Sequence, residues 1–294
     1  MKTEPVRTEK SVSWGIHLVW VLVLLAVWIV VLPKIPKDWS DGAGIFSFRT
    51  MAQMVLGLTL VQALGGLLGS ALGRRTSTVL TGIIGGFISS TVVTATAARR
   101  SHAAPEEVDA QSLLLICSTL SMLFEAAMIV ELGLPGAGYP IFTVFLGPSI
   151  VTLYAAWQRA RAVRTEVRGG PTPAPDLVSI GRMAVFLVGI LTLSKLLART
   201  LGKRGLLAFT LVASFFEIHA TLISNTALRS LGEIEGGFFT VLLAVSLGAS
   251  YLSKLFLVRS LGTPGMYRIV REWVAFALVG LTLSTLLALN LMTT

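Results

Sequence analysis

Four ionisable residues stand inside long apolar runs: Glu125, Glu217, His219 and Lys254. At mid-membrane depth such a group costs about 3 kcal/mol or more, so each marks a functional site by default. Glu217 and His219 are two residues apart. On a regular helix they diverge, whereas in extended or broken backbone they share one face. An imidazole beside a carboxylate can take up and release a proton near neutrality, which is the chemistry of a proton-coupled site. The competing role is local, with both groups bonding the backbone at a helix break. Glu125 and Lys254 are expected to form an ion pair, either a static clamp or part of the site.

Hydroxyls surround these charges. Ser89, Ser90, Thr91 and Thr94 fall within one apolar stretch, Asn225 follows His219, and Ser250 lies one helical turn before Lys254. This density suits a polar pathway for a small solute or ion. Ser90, His219 and Glu217 could be drawn as a hydrolytic triad, but no nucleophile-elbow spacing is present. Three histidines without an H-E-x-x-H pattern argue against metal hydrolysis. We therefore expect no enzyme, no metal site and no cofactor.

The elements that hold these residues are membrane spans. The chain has 294 residues, 54% hydrophobic and 13% charged, with a mean hydropathy of +0.79. Soluble domains carry about 25% charged residues. Apolar segments run over 15–33, 45–72, 76–98, 111–132, 138–157, 180–201, 205–228, 237–258 and 272–291. The first lacks an A-x-A-like cleavage site and precedes Lys34-Ile35-Pro36-Lys37, so it reads as a retained span. The net charge of +9 comes from basic residues at the ends of apolar runs. That placement points to topology control, with membrane lipids as partners and no nucleic acid. The arginines at segment ends, Arg74, Arg75, Arg99 and Arg100, read as such anchors. Cys117, the single cysteine, lies in an apolar run and reads as packing. Glu131 and Lys195 lie nearer segment ends, where snorkelling accounts for them.

The chain also repeats itself. Gly73-Arg74-Arg75 opens an apolar stretch closing at Arg100, and Gly202-Lys203-Arg204 opens another closing at Arg229, all at an offset of 129. Thr81/Thr210, Phe87/Phe216 and Ala98/Ala227 keep that offset. Further on the offset becomes 132, so that Phe124 faces Phe256 and Met122 faces Lys254. The chain divides into a tail, first span and loop (1–44), repeat 1 (45–157), a basic Pro/Gly-rich cytoplasmic linker (158–179) and repeat 2 (180–294). Nine full spans would place 12 Lys and Arg on the N-terminal side and 11 on the other, Lys254 aside. If segments 76–98 and 205–228 enter and leave on one face, the division becomes 15 against 8. The positive-inside rule favours the second arrangement. The glycines Gly82, Gly85 and Gly86 are expected to break the first of these segments. The expected fold is an all-α polytopic membrane protein. It has an N-terminal span plus two inverted repeats, each of three transmembrane helices and one re-entrant or broken Ser/Thr-rich segment, as in many secondary transporters.

The run Gly85-Gly86-Phe87-Ile88-Ser89-Ser90-Thr91-Val92-Val93-Thr94, followed by Ala98-Arg99-Arg100, resembles a known signature. It is similar to that of a membrane domain of unknown function often grouped with MgtC/SapB proteins. Phe216-Glu217-Ile218-His219-Ala220 is similar to a second motif of that family, although Glu217 stands where Asp is more usual. Ser250 and Lys254 match a third. The resemblance spans most of 45–290 and implies a multi-pass protein of the bacterial inner membrane, N-terminus cytoplasmic. It names no substrate.

Together these features point to a secondary transporter that moves a small solute or ion, with proton coupling as one option. An ion channel, or a non-transporting membrane sensor or assembly protein, are the alternatives. The run Gly65-Gly66-Leu67-Leu68-Gly69-Ser70 permits close helix contact within one chain or between the copies of a homodimer.

Overall fold

The computed structural model describes residues 6–36, 48–72, 77–163 and 177–293. Among the described residues every regular element is a helix. The α-helices are α1 (Val6–Ala26), α2 (Phe48–Leu72), α3 (Thr78–Ala103), α4 (Val108–Gly133), α5 (Tyr139–Thr143), α6 (Leu146–Ala162), α7 (Leu177–Phe216), α8 (Ile218–Ser230), α9 (Gly236–Leu261) and α10 (Pro264–Thr293). Among the described residues six helical stretches are long and apolar enough to cross a membrane: Gly15–Lys34, Thr78–Ala103, Pro105–Gly133, Tyr139–Ala162, Gly236–Leu261 and Pro264–Thr293. The protein is therefore a multi-pass, all-helical membrane protein.

The six stretches differ in burial. In α4, 78% of the apolar window is buried and in α9 56%, against 22–39% for the others. A helix that is apolar all round belongs in the interior, and these two form the centre of the bundle. The more peripheral helices turn an apolar face outward, with Ile150 on α6 and Phe276 on α10 largely exposed. That exposure suits lipid.

Two helical runs are broken where the sequence places its polar residues. In α3, Ser89 leaves helical geometry (φ −170°, ψ 105°), and its hydroxyl accepts from Val92 N–H at 3.3 Å. Between α7 and α8, Glu217 does the same (φ −149°, ψ 101°), and its carboxylate accepts from His219 N–H at 3.0 Å. Each break is thus capped by its own side chain, which satisfies an N–H that the new helix start leaves bare. The arms on either side face each other. A Cβ on Gly85 would lie 2.9 Å from Val93 Cγ2, whereas eight residues of straight helix span about 12 Å. Thr210 and Asn225 bond across the second break, with Asn225 Nδ2 donating at 3.3 Å.

Gly82, Gly85 and Gly86 do not make the break, which falls at Ser89. Gly82 and Gly86 stay helical and seat the first arm of α3 on α4. A Cβ on Gly82 would lie 2.6 Å from Leu114 O, and one on Gly86 would lie 2.5 Å from Ser118 O. This close approach lets Ser121 Oγ donate to Ile83 O at 2.7 Å. Gly86→Leu is therefore expected to force the arm off α4 and destabilise the fold by about 3 kcal/mol or less, the range of an overpacked core. A fall in the melting temperature of the detergent-solubilised variant would show it, and an unchanged melting temperature would contradict it.

Two other expectations are revised. The last helix begins at Pro264, eight residues before the apolar run at 272. Helix α6 continues to Ala162, into the stretch 158–179 read as a linker, with Arg159 and Arg161 in a last turn where cations suit the helix dipole. Most of the linker, residues 164–176, and the first Gly-basic-basic motif at 73–75 lie outside the described residues. In the second such motif Gly202 has φ +62° and ψ −151°. This is backbone that only glycine adopts without strain, so the motif opens with a turn.

Candidate functional site

The second break carries the charged centre. His219 starts α8 and is flanked by carboxylates on both ring nitrogens. Nδ1 lies 3.1 Å from Glu217 Oε1, and Nε2 lies 3.2 Å from Glu125 Oε2 on α4. The Glu125 contact has the distance of a charge pair, while His219 Nε2 has no aligned hydrogen-bond partner and the other oxygen of Glu125, Oε1, is buried without one. Only an imidazolium can present an N–H to carboxylates on both sides. The break places Glu217 in extended backbone, so its carboxylate turns back over His219 instead of diverging from it. Glu217 caps α8 and also faces the imidazole.

Burial grades across the group. Glu125 is 1% exposed and His219 8%, whereas the Glu217 side chain is 39% exposed. The cluster is sealed at Glu125 and opens at Glu217.

The expected Glu125–Lys254 ion pair is not formed. Lys254, 2% exposed, donates from Nζ to Ser250 Oγ and to Met122 Sδ, each at 3.1 Å. Ser250 Oγ donates in turn to Met122 Sδ at 3.0 Å. Glu125 is taken by His219 because α8 packs on α4 and brings the imidazole to it. Met122, absent from the expected site, completes this second group. Its signal was present in the sequence, where Met122 and Lys254 stand 132 residues apart at the second repeat offset.

The hydroxyls separate into inner and outer ones. Ser90 and Thr94 are buried, with Thr94 Oγ1 donating to Ser90 O at 2.8 Å. Ser89 caps the break, and Thr91 faces outward. Asn225 is fully buried and held by Thr210. Ser224, which the sequence did not single out, donates to Ser194 at 2.8 Å, tying α8 to the first part of α7. Thr226 Oγ1 and Ser246 Oγ are buried without a partner. Aromatic pairs back both breaks, with Phe87 against Phe124 at 6.0 Å and Phe215 against Phe256 at 5.8 Å. In the second pair the ring comes from Phe215, the neighbour of Phe216, which is the offset mate of Phe87. Among the described residues no group of three His, Cys, Asp or Glu is arranged to hold a metal ion.

Residues 55–262 match the family described as Domain of unknown function (DUF4010). The chain belongs to this family. The match includes both breaks and every residue of the charged cluster, so the site lies within the part that defines the family. Its description does not mention MgtC or SapB proteins. No curated protein and no solved structure matches the chain.

Proposed function

We propose that this DUF4010 member is a secondary transporter for a small solute or ion, with its site at the tips of two re-entrant helical hairpins. The observation that carries this reading is the placement of two capped helix breaks, Ser89 and Glu217, within one residue of matching positions at the 129 offset. The second break lies in the charged cluster, with Glu217 and Glu125 on either side of His219.

In this reading the chain comprises an N-terminal span and two inverted repeats. Several observations support it. Helix α2 and the first part of α7 share their bounds at the 129 offset, Phe48–Leu72 against Leu177 to the Gly202 turn. The last turn of α3 lies near the start of α4 and the end of α9, where Arg100 pairs with Glu107 and Thr263 N–H donates to Ser101, and Val79 at its other end packs on the same apolar cluster as Ala97 and Ala98. The ends of the second hairpin lie together near the start of α9, where Lys203 pairs with Glu235 and Arg229 donates to Ile234 O. The two hairpins thus enter from opposite ends of the bundle, and broken helices meeting near mid-depth are a common way to build a transport site. The charge count sets the N-terminus in the cytoplasm, and the motif resemblance suggests a bacterial inner membrane.

Burial of Glu125, His219 and Lys254 favours an occluded, alternating-access site over an open pore. Lys254 has three N–H donors, and its acceptors are one hydroxyl and one weakly accepting thioether. It is the group with capacity to bind substrate. The Glu125–His219–Glu217 relay supplies the proton-exchanging element. No group in this arrangement is poised as a nucleophile, and we infer no enzymatic activity.

Reconstituted protein on a solid-supported membrane, challenged with a panel of small cations and anions, should show charge movement. Glu217→Gln should lower it at least tenfold while the protein stays folded. Full activity in that variant would remove Glu217 from the site. Hairpin topology is tested separately by single cysteines at 74, 100, 203 and 229 in a Cys117→Ala background. The first two should label from one face and the last two from the other, and labelling of 74 and 100 from opposite faces would rule out the re-entrant arrangement.

A further inference from the structure

A groove on the flank of the bundle belongs to neither hairpin. Helices α6 and α10 meet backbone to backbone at Gly147 and Gly280. Away from that crossing they leave a groove of about 460 Å³, floored by α4. This volume is in the range of small-molecule sites, about 300–1,000 Å³. Its length is apolar, with Ile116 and Trp273 at the floor and Ile150 and Phe276 exposed at the lips. One end is polar, formed by Gln158, Arg159 and Glu272.

That polar end sits at headgroup level. Arg159 lies in the last turn of α6 and donates to Asp109, in the first turn of α4, at 2.9 Å. Tyr154 and Trp157 pack at 5.9 Å, and Arg161 lies 3.7 Å over the Trp157 ring. Tyrosine, tryptophan and arginine together mark a membrane–water interface. A soluble ligand would have no use for the apolar length, whereas a lipid would fill both parts.

The two charges at the mouth narrow the choice of lipid. Arg159 has one nitrogen on Asp109 and further N–H groups in its planar fork, suited to a phosphate. Glu272 is contacted by Arg268 at 3.6 Å and stays half exposed, so its carboxylate can accept from a second cation. We propose that this groove binds a phosphatidylethanolamine molecule, with an acyl chain along the apolar wall, phosphate at Arg159 and ammonium at Glu272. Phosphatidylglycerol offers no cation to Glu272. Phosphatidylcholine offers a cation without N–H donors.

The test is native mass spectrometry of delipidated full-length protein supplied with equimolar ethanolamine, glycerol and choline phospholipids of identical chains. The ethanolamine lipid should be retained about tenfold over the other two, the scale of one charge-assisted hydrogen bond. Glu272→Gln, a change at an exposed site, should bring it down to the choline level. Ala155→Trp, which fills the groove, should lower all three. Equal retention of the three lipids, a preference for the glycerol lipid, or an intact preference in Glu272→Gln would overturn the proposal.

Discussion

Replacing His219 with leucine is expected to destabilise the protein by about 3–5 kcal/mol, the cost of stripping a buried charge of its partner. The stranded group is Glu125, 1% exposed, which lies 3.2 Å from the imidazole. The Glu217 carboxylate would lose its ring contact but keep the N–H of residue 219 at the start of α8. A second substitution separates stability from function. Glu125→Gln combined with His219→Leu removes the stranded charge and should recover most of the lost stability, while transport stays absent because the proton-exchanging ring is gone. Chemical denaturation in detergent measures the coupling, and flux in proteoliposomes measures activity. A His219→Leu protein as stable as the wild type would show that the Glu125 contact does not support the fold.

Lys254→Met should produce the opposite pattern. The change places in repeat 2 the side chain that repeat 1 carries at Met122. Lys254 holds a hydroxyl and a thioether but no carboxylate, so its burial is compensated only in part. Replacing a buried charge by an apolar side chain of similar volume is often neutral or stabilising, by about 1–4 kcal/mol. The variant should melt at or above the wild-type temperature and lose transport. Loss of stability with transport intact would make Lys254 a structural lysine and move the substrate site elsewhere.

These outcomes depend on features that the sequence carried to different degrees. In the second Gly-basic-basic motif Gly202 makes a turn that other residues resist, which spacing alone did not reveal. The hydroxyl-rich stretch of 76–98 was legible as irregular, yet the position of its break was not. Three glycines pointed to residues 82–86, and the chain breaks at Ser89. Propensity alone cannot separate a glycine that ends a helix from one that lets two helices touch, because the difference lies in the partner. Here the partner is the α4 backbone at Leu114 and Ser118. The charges were likewise legible as costly and therefore purposeful, but their pairing was not. Glu125 and Lys254 were matched by repeat arithmetic, which relates helices without fixing which faces meet.

What the sequence by itself determined is the class and its constraints: a multi-pass helical membrane protein with four ionisable groups in apolar runs. Composition, periodicity and offset are properties of the chain and need no partner to be read. What only the tertiary structure decided is which groups share a site. It set His219 between Glu217 and Glu125, brought Met122 rather than Glu125 to Lys254, and placed the capped breaks against α4 and α9. Those outcomes follow from packing contacts between helices far apart in sequence. A contact of about 3 Å depends on how two helix faces meet, which local sequence does not encode.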